Sequence, residues 1–270
     1  MDYRTFITSS LEEASKIAND SFGKVNGTVK EADNNQVLTE TDLAIGKLLV
    51  NKVKETYPDY NIIDEETGVI DNKSNFTWVI DPIDGTSNFA VGVPTYGIMM
   101  GLLQDQTPIA GGFIIPPNSD MYLAEKGKGT FLNGKQIFVT KEQKLLNCLV
   151  AYGIDGNLQD PTSTRSETKN FGEIVLNSRN IRTSGSEPID VGYVASGKYG
   201  ARLNQYGKIW DVVAPQIIIE EAGGIFTDFW GKAIDYTNAV GKTEQNFTVC
   251  AASPVLHKQL QEIIHQTDGN

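Results

Sequence analysis

Two aspartates follow directly on a short apolar run and could together hold a metal ion. Residues 78–80 read Trp-Val-Ile, and Asp81 and Asp84 come immediately after them. Pro82 removes a backbone donor and Gly85 permits a tight turn, so a strand should end at this point. At about 5 Å apart and an effective dielectric of about 20, two carboxylates repel each other by about 3 kcal/mol unless a cation lies between them. Carboxylate oxygens suit Mg²⁺ or Mn²⁺, although a plain Asp-Gly turn would also explain the pair.

Two further acidic segments border apolar runs and strengthen the metal interpretation. Glu65 and Glu66 come just after the strand-like run 61–63, and Asp211 opens an apolar helix expected over 211–222. Each acid alone can be explained as a solvated loop residue or, for Asp211, as a helix N-cap that contributes about 1 kcal/mol. One shared metal cluster explains all of them together.

Three phosphate-related motifs can be compared with two segments of the chain, and only one of them is retained. After Gly85, the backbone N–H groups of Thr86, Ser87 and Asn88 could face an anion if a helix begins there. Residues 129–135 nearly spell a P-loop, but Gln136 replaces the Mg²⁺-binding Ser or Thr and the segment is typical of a hairpin, so we reject it. The aspartyl-phosphate phosphatases use Asp-x-Asp-Gly-Thr, and the spacing here is one residue longer, which argues against their mechanism.

Hydrophobic periodicity predicts that helices and strands follow one another along the whole chain. Helices are expected at 11–22, 41–57, 189–196, 211–222 and 254–265. Strands are expected at 61–63, 76–80, 96–103, 109–115, 121–139 with a type I′ hairpin turn at Asn133-Gly134, 149–152, 201–203, 224–227 and 247–251. We interpret residues 1–143 as an α+β half with most of the acids and residues 144–270 as an α/β half with Asp211, packed together as one unit.

Composition and charge exclude several classes of protein. The 270 residues carry a net charge of −11, which repels phosphate backbones and argues against nucleic-acid binding. No run approaches the roughly 18 apolar residues of a membrane helix, and no secretory signal is visible. Cys148 and Cys250 lack disulfide or metal spacing, which indicates a cytoplasmic protein. Both histidines, His257 and His265, lie on a predicted surface helix, so a carboxylate or a metal should activate the nucleophile.

The acidic motifs together resemble a known family. The chain contains the pair Glu65-Glu66, the block IDPIDGTSNF at 80–89, Ser184-Gly185-Ser186 before a helix, and WDVVAPQIIIEEAGG from Trp210. These segments resemble the inositol monophosphatase family of Mg²⁺-dependent, lithium-sensitive phosphatases, which also covers fructose-bisphosphatases and nucleotide phosphatases. The resemblance spans nearly the whole chain. It implies a layered αβαβα sandwich of the inositol monophosphatase / fructose-1,6-bisphosphatase type, of mixed α+β and α/β class, and a homodimer.

The resemblance also implies which residues hold metal ions. The first ion would bind Glu65, Asp81 and the backbone carbonyl of Ile83. The second would bind Asp81, Asp84 and Asp211. A third, weaker ion is expected near Glu65, and Mn²⁺ should be able to replace Mg²⁺. Three such ions would more than neutralise the negative charge of the acids in the site. The site would then attract a phosphate instead of repelling it.

The same resemblance implies a hydrolytic mechanism and a substrate site. Asp42 and Thr86 would activate and orient a water, with Glu65 also at the catalytic centre, and the phosphoryl group would pass to water in one step. Asp42 is also explained as an acid that the helix dipole favours in a first turn. The substrate-binding residues that the resemblance implies are Gly85, Thr86, Ser87, Gly185, Ser186, Asn204 and Asp211.

Several residues depart from the family pattern and leave the substrate open. Asp64 stands where the family often has glycine, Asn204 where inositol-specific members tend to have glutamate, and Glu187 where a small residue is usual. Lys208 and the spacing of residues 30–36 also differ. We therefore expect a Mg²⁺-dependent phosphomonoesterase for a small phosphorylated metabolite, with inositol monophosphate as first choice. Fructose 1,6-bisphosphate, a 3′-phosphonucleotide and NADP remain alternatives, as does a non-catalytic metal-binding regulatory protein.

Overall fold

Seven helices and fifteen strands make up the part of the chain that the structure describes. The structure is a computed structural model, and it describes residues 2–24, 27–30, 33–156 and 160–269. The helices are α1 (Tyr3–Ser21), α2 (Glu40–Thr56), α3 (Thr86–Ala90), α4 (Pro161–Asn177), α5 (Glu187–Ala195), α6 (Val213–Glu221) and α7 (Pro254–Asp268). The strands are β1 (Thr28–Lys30), β2 (Asp33–Leu38), β3 (Asn61–Asp64), β4 (Gly68–Ile70), β5 (Phe76–Asp84), β6 (Gly97–Gln104), β7 (Thr107–Ile115), β8 (Asp120–Glu125), β9 (Gly129–Leu132), β10 (Lys135–Ile137), β11 (Leu149–Gly153), β12 (Asn180–Arg182), β13 (Ala201–Asn204), β14 (Ile225–Thr227) and β15 (Val249–Ala252).

The strands form two large sheets and one separate pair. Eight strands lie in the order β10-β9-β8-β7-β6-β5-β3-β4, and their neighbours are antiparallel except for the parallel pair β3 and β5. Five strands lie in the order β12-β11-β13-β15-β14, where β11 runs parallel to β12 and to β13. Strands β1 and β2 form the two-stranded sheet. Because β3 and β5 are parallel neighbours, the acids in the last part of β5 and those just after β3 lie at the same edge of the eight-stranded sheet.

Alternating residues of β5 show how the layers stack. Trp78 and Ile80 pack with residues of α1 and α2, whereas Val79 packs with residues of α5 and α6. This alternation follows from the two-residue repeat of a strand. The cluster around Val79 continues into Phe226 and Ala251 of the five-stranded sheet, and that sheet also packs against α4 and α7. The layers therefore run helix, sheet, helix, sheet, helix, which confirms the predicted sandwich, while the division into halves at residue 143 stays a prediction.

Most predicted elements are present, and the differences have physical reasons. The Asn133-Gly134 turn joins β9 to β10 with φ angles of 49° and 78°, as a type I′ turn requires, so the segment that nearly spells a P-loop is a hairpin. Helix α4 has no counterpart in the prediction, because its buried residues include Glu167 and Asn170. Polar side chains thus stand where an apolar repeat would reveal the helix. Strands β4 and β12 are too short to show alternation.

Helix α7 has an exposed face, as the surface helix that the sequence predicts should have, but one of its two histidines lies on the buried face. His257 is buried, and its Nε2 lies 2.8 Å from Thr227 Oγ1 on β14. Burial lowers the pKa of His257, because a charged imidazolium loses its hydration there. The side chain therefore belongs to the packing between α7 and the five-stranded sheet. Across the described ranges, no helix combines the length and the apolar character needed to cross a membrane.

Candidate active site

The two aspartates of the IDPIDGTSNF block lie where β5 reaches the edge of the eight-stranded sheet. Strand β5 continues to Asp84, beyond the predicted end at Ile80. Its pairing with β6 is irregular there, because Asp81 pairs with Met99 and Asp84 pairs with Gly97. One extra residue on β5 makes this a bulge. In a regular strand, side chains three residues apart point to opposite faces, so the bulge is what allows both carboxylates to face the same place.

Three aspartates converge at this edge of the sheet, and we refer to Asp81, Asp84 and Asp211 as the aspartate trio. One carboxylate oxygen of each lies within 4.8 Å of the others. Asp81 is 2% exposed, and its Oδ1 has no hydrogen-bond partner among the described residues. Burial raises the pKa of Asp81 and of Asp211 well above the usual aspartate value, and neighbouring carboxylates add to the effect. A divalent cation would supply the missing partner and relieve the repulsion, so these residues fit a metal ion.

A short turn, rather than a helix, holds Asp211. The residue ends the 3-10 turn Ile209–Asp211, and its Oδ2 accepts the Lys208 N–H at 2.7 Å. The expectation that Asp211 opens the apolar helix is wrong, since α6 begins at Val213. The backbone donor lowers the pKa of Asp211, but burial and the Asp84 charge outweigh it. The turn therefore keeps the Asp211 carboxylate directed towards those of Asp81 and Asp84. A bound cation would offset the repulsion between them.

Two further predicted metal ligands lie close to the trio in the chain: Ile83 stands between Asp81 and Asp84 in β5, and Glu65 follows the neighbouring strand β3. Glu65 directly follows β3, and its N–H donates to the Ile80 carbonyl at 3.3 Å. After burial, the charge of Glu65 makes the largest contribution to the raised pKa of Asp81. The Ile83 carbonyl accepts the Thr86 hydroxyl at 2.7 Å and keeps a second lone pair that a metal could use. Metal ligation by these two residues stays a prediction.

Asp42 and Thr86 are joined by a hydrogen bond, although 44 residues separate them in the chain. Asp42 lies in the first turn of α2, where Thr39 and Asp42 form a capping box. Asp42 Oδ2 accepts the N–H of Thr39 at 3.0 Å and also its hydroxyl, while Oδ1 accepts the Thr86 hydroxyl at 3.1 Å. Burial raises the pKa of Asp42 to about 6. The carboxylate is therefore ionised at neutral pH, and its capping role leaves Oδ1 available for chemistry.

The turn at Gly85 requires glycine and begins a short helix. Gly85 has a φ of 85°, and a Cβ there would lie 2.8 Å from the Thr95 carbonyl oxygen and 3.1 Å from that of Gly185. Helix α3 begins at Thr86, as the predicted anion-facing N–H groups require, since the first N–H groups of a helix have no acceptor within it. Ser87 in the first turn is exposed. Phosphate binding by these groups stays a prediction.

Asn88 links this turn to the segment that precedes α5. Its Nδ2 donates to the carbonyls of Thr95 at 2.8 Å and Ser184 at 2.9 Å, with the Gly185 carbonyl at 3.2 Å. Ser186, the N-cap residue of α5, is buried beside them. The sequence predicts only that the backbone N–H of Asn88, in the IDPIDGTSNF block, could face an anion, and it assigns no role to the side chain. The block pointed to it, but only the structure shows which chain segments its amide connects.

Two departures from the family pattern have visible contacts. Asp64 is 1% exposed, and its Oδ1 accepts the Thr67 N–H at 2.7 Å. A Cβ at Gly46 of α2 would lie 2.9 Å from the same oxygen, so Asp64 is tightly enclosed. Asn204 ends β13, and its Oδ1 accepts the Tyr206 N–H at 3.2 Å. The substrate role of Asn204 stays a prediction.

The two other departures from the family pattern are Lys208 and the segment 30–36. Lys208 Nζ lies 3.4 Å from Glu244 Oε2, in an ion pair whose glutamate is largely exposed. Of the segment 30–36, residues 31–32 lie outside the described residues, and the backbone on either side forms β1 and β2. The expected difference from the family in this segment is therefore not tested by the structure.

The chain is similar to known proteins over nearly its whole length. Residues 2–268 match the family model described as Inositol monophosphatase family. An inositol monophosphatase from Mesembryanthemum crystallinum is 31% identical over 237 residues, which cover 86% of this chain and 84% of the relative. A fructose-1,6-bisphosphatase/inositol-1-monophosphatase from Thermotoga maritima is 29% identical over 266 residues, which cover 98% of this chain and 97% of the relative. Among solved structures, an IMPase from Thermotoga maritima aligns with a TM-score of 0.86 at 26% identity and covers 100% of this chain and 99% of that chain.

Proposed function

This chain belongs to the inositol monophosphatase family, whose members are phosphoric monoester hydrolases, and we propose that it is a Mg²⁺-dependent phosphomonoesterase. Its substrate would be a small phosphorylated metabolite, with inositol monophosphate as first choice. The observation that carries the proposal is the aspartate trio: one oxygen of each carboxylate lies within 4.8 Å of the others, and Asp81 has a buried oxygen without a partner among the described residues. Such an arrangement is costly in a protein that never binds a cation.

Five groups are proposed to hold Mg²⁺. Glu65, Asp81 and the Ile83 carbonyl would bind the first ion. Asp81, Asp84 and Asp211 would bind the second, and a third, weaker ion would lie near Glu65. When bound, the ions would polarise the phosphoryl oxygens and stabilise the oxygen of the leaving group.

Asp42 and Thr86 are proposed to hold the attacking water and to take its proton. The Thr86 hydroxyl has one proton and two acceptors, the Ile83 carbonyl at 2.7 Å and Asp42 Oδ1 at 3.1 Å. When that proton goes to Ile83, Asp42 Oδ1 is left to accept a proton from water. Thr39 holds Oδ2, so the carboxylate cannot turn away. With a pKa of about 6, Asp42 is a base at neutral pH.

The substrate is proposed to lie between α3 and the start of α5. The N–H groups of Gly85, Thr86 and Ser87 would bind phosphate oxygens. Asn88 donates to the Ser184 carbonyl and so keeps the segment before α5 next to this turn, where Gly185 and Ser186 would also contact the substrate. Asn204 and Asp211 would contact the alcohol portion of the substrate. We propose a homodimer on the family resemblance, and size-exclusion chromatography with light scattering would test that assembly.

Phosphate release from a panel of esters tests the proposed activity. The panel contains inositol 1-phosphate, fructose 1,6-bisphosphate, a 3′-phosphonucleotide and NADP, each assayed with and without Mg²⁺. Fructose 1,6-bisphosphate is the second candidate, because a relative from Thermotoga maritima carries both activities in its name. Asp84→Asn should lose activity on every ester. Asp71→Asn is the matched control, because Asp71 pairs with Lys73 in the loop that precedes β5.

The outcomes distinguish the candidate functions. Mg²⁺-dependent release from inositol 1-phosphate supports the first choice, and a preference for another ester reassigns the substrate within the family. No Mg²⁺-dependent release from any of the four would contradict the enzymatic proposal and favour a non-catalytic metal-binding protein. A single turnover in ¹⁸O-labelled water should place the label in inorganic phosphate with inversion at phosphorus. Retention of configuration would contradict direct transfer to water.

A further inference from the structure

A buried ion cluster, which we call the Arg202 cluster, consists of Arg202, Glu187 and Asp190. Arg202 lies on β13, and both acids lie in the first turn of α5. The side chains are 5%, 3% and 1% exposed in that order. Nε and Nη2 of Arg202 donate to Glu187 Oε2 at 2.9 and 2.7 Å. Its Nη1 lies 3.2 Å from Asp190 Oδ2 and donates to the Leu203 carbonyl at 3.0 Å.

Stability alone does not explain the Arg202 cluster. Two carboxylates share one guanidinium, and Glu187 Oε1 and Asp190 Oδ1 have no hydrogen-bond partner among the described residues. Buried ion pairs with unsatisfied atoms are often no more stable than apolar side chains of the same volume. The surroundings are also adapted to the arginine, because a Cβ at Gly153 would lie 2.8 Å from both Nη1 and Nη2. We therefore expect the Arg202 cluster to have a role other than stabilising the fold.

Glu187 connects the Arg202 cluster to the aspartate trio. Its backbone N–H donates to Asp84 Oδ1 at 2.7 Å, across 103 residues of sequence. Glu187 is the first residue of α5, so its N–H has no acceptor within the helix and is free to serve another group. The same residue is therefore held by Arg202 through its side chain and holds Asp84 through its backbone. Asp190 instead contacts Nη1, the other terminal nitrogen of Arg202.

We propose that Glu187 is a positioning residue for Asp84. By holding the Glu187 carboxylate, Arg202 keeps the Glu187 N–H on Asp84 Oδ1. Asp84 thereby keeps the orientation that brings it within 4.8 Å of Asp81 and Asp211. Partners that orient a metal ligand through hydrogen bonds commonly contribute a factor of about 10 to 100 to metal affinity. This inference rests on the proposed metal site, in which Asp84 is a ligand.

Two matched variants test the positioning role. Glu187→Gln and Asp190→Asn each convert one carboxylate on Arg202 into an amide of the same shape and leave the other carboxylate in place. Both should lower the thermal stability, because both weaken the same buried cluster. Mg²⁺ binding, measured by isothermal titration calorimetry without substrate, should separate them. We expect the dissociation constant to rise at least about tenfold in Glu187→Gln and to change less than about twofold in Asp190→Asn.

A third variant separates positioning from the effect of charge. Arg202→Lys keeps the positive charge but cannot donate to Glu187 in the same forked way. We expect it to weaken Mg²⁺ binding about as much as Glu187→Gln does, and it decides the question if Glu187→Gln does not fold. An unchanged affinity in Arg202→Lys would overturn the proposal. Equal losses in Glu187→Gln and Asp190→Asn would overturn it as well, since they would indicate a general loosening of the fold.

The wild-type titration keeps this inference separate from the proposed function. If the wild-type protein shows no heat of Mg²⁺ binding, or if Asp84→Asn binds as well as the wild type, the proposed metal site itself is wrong. If the wild type binds, Asp84→Asn does not, and all three cluster variants bind normally, only the positioning role of Glu187 is wrong.

Discussion

Replacing Asp84 by asparagine should stabilise the metal-free protein while it abolishes activity. Burial and the Glu187 charge raise the pKa of Asp84 from 3.8 to about 7. A carboxyl group with a raised pKa contributes its full stability below the unfolded value of 3.8, and this contribution is lost as the pH rises through about 7. At pH 8 without metal, the ionised Asp84 therefore opposes folding. Asparagine removes that charge.

The size of the effect follows from the same pKa values. A rise from 3.8 to about 7 corresponds to at most about 4 kcal/mol. Asp84 is half-buried, so solvent screening reduces the expected gain to about 2 kcal/mol. The asparagine oxygen can still accept the Glu187 N–H that lies 2.7 Å from Oδ1, so this hydrogen bond is kept. In a chain of this length, about 2 kcal/mol raises the Tm by about 5 °C.

Thermal unfolding followed by circular dichroism measures this effect. In EDTA at pH 8 the variant should melt about 5 °C above the wild type, and at pH 5.5 the difference should shrink. Addition of Mg²⁺ should raise the Tm of the wild type much more than that of the variant, because a ligand stabilises only the form that binds it. Asp71→Asn should melt like the wild type in EDTA, and Mg²⁺ should raise its Tm as much as that of the wild type. A variant that melts below the wild type in EDTA at pH 8 would refute the reasoning from acidic repulsion, and near-normal activity would refute the role of Asp84 as a ligand.

Three more predictions concern the mechanism and the core. Li⁺ should inhibit uncompetitively by holding the complex formed after phosphoryl transfer, and indifference to tens of millimolar Li⁺ would show that the second metal site is built differently. Thr86→Val should lower kcat about 100-fold or more. Because the Thr86 hydroxyl lowers the pKa of Asp42, the variant should also move the acidic limb of the kcat/KM profile to higher pH, and an unmoved limb would separate Asp42 from catalysis. Glu167 is fully buried without a hydrogen-bond partner in the described structure, and burial raises its pKa to about 7. Its stability contribution is lost as the pH rises through that value, so Glu167→Gln should raise the Tm at pH 8 but not at pH 5, and a pH-independent change would contradict this.

Local patterns were sufficient to predict much of the fold. The apolar repeat through Leu11, Ala14 and Ala18 predicted α1, and all three residues are buried in it. The Asn133-Gly134 turn was readable because a type I′ turn needs two residues that tolerate positive φ. Helix α4 could not be predicted in the same way, because Glu167 and Asn170 occupy positions that face the core. Asn170, for example, lies against α7, where its Nδ2 donates to Asp268 Oδ1 across 98 residues of sequence.

The candidate site shows the same limit. The types and spacing of Asp81 and Asp84, together with Glu65, Glu66 and Asp211, indicated metal chemistry, because one shared metal cluster explains all of these acids. Pro82 indicated that regular pairing stops in this block, but the bulge that turns both carboxylates to one side is formed by the pairing of β5 with β6. Likewise, Asp211 was expected at a helix start, and the turn that holds it is formed with Lys208.

The sequence by itself determined which chemistry this protein can carry out. Hard oxygen ligands, a glycine turn before Thr86 and the lack of a nearby histidine are properties of residue type, and short-range spacing is enough to recognise them. Only the tertiary structure decided how these groups act together. The Glu187 N–H lies on Asp84, and Arg202 lies on the Glu187 carboxylate, through contacts between segments far apart in the chain. Such contacts depend on how two sheets and their helices pack, and packing is a property of the whole fold that local spacing does not record.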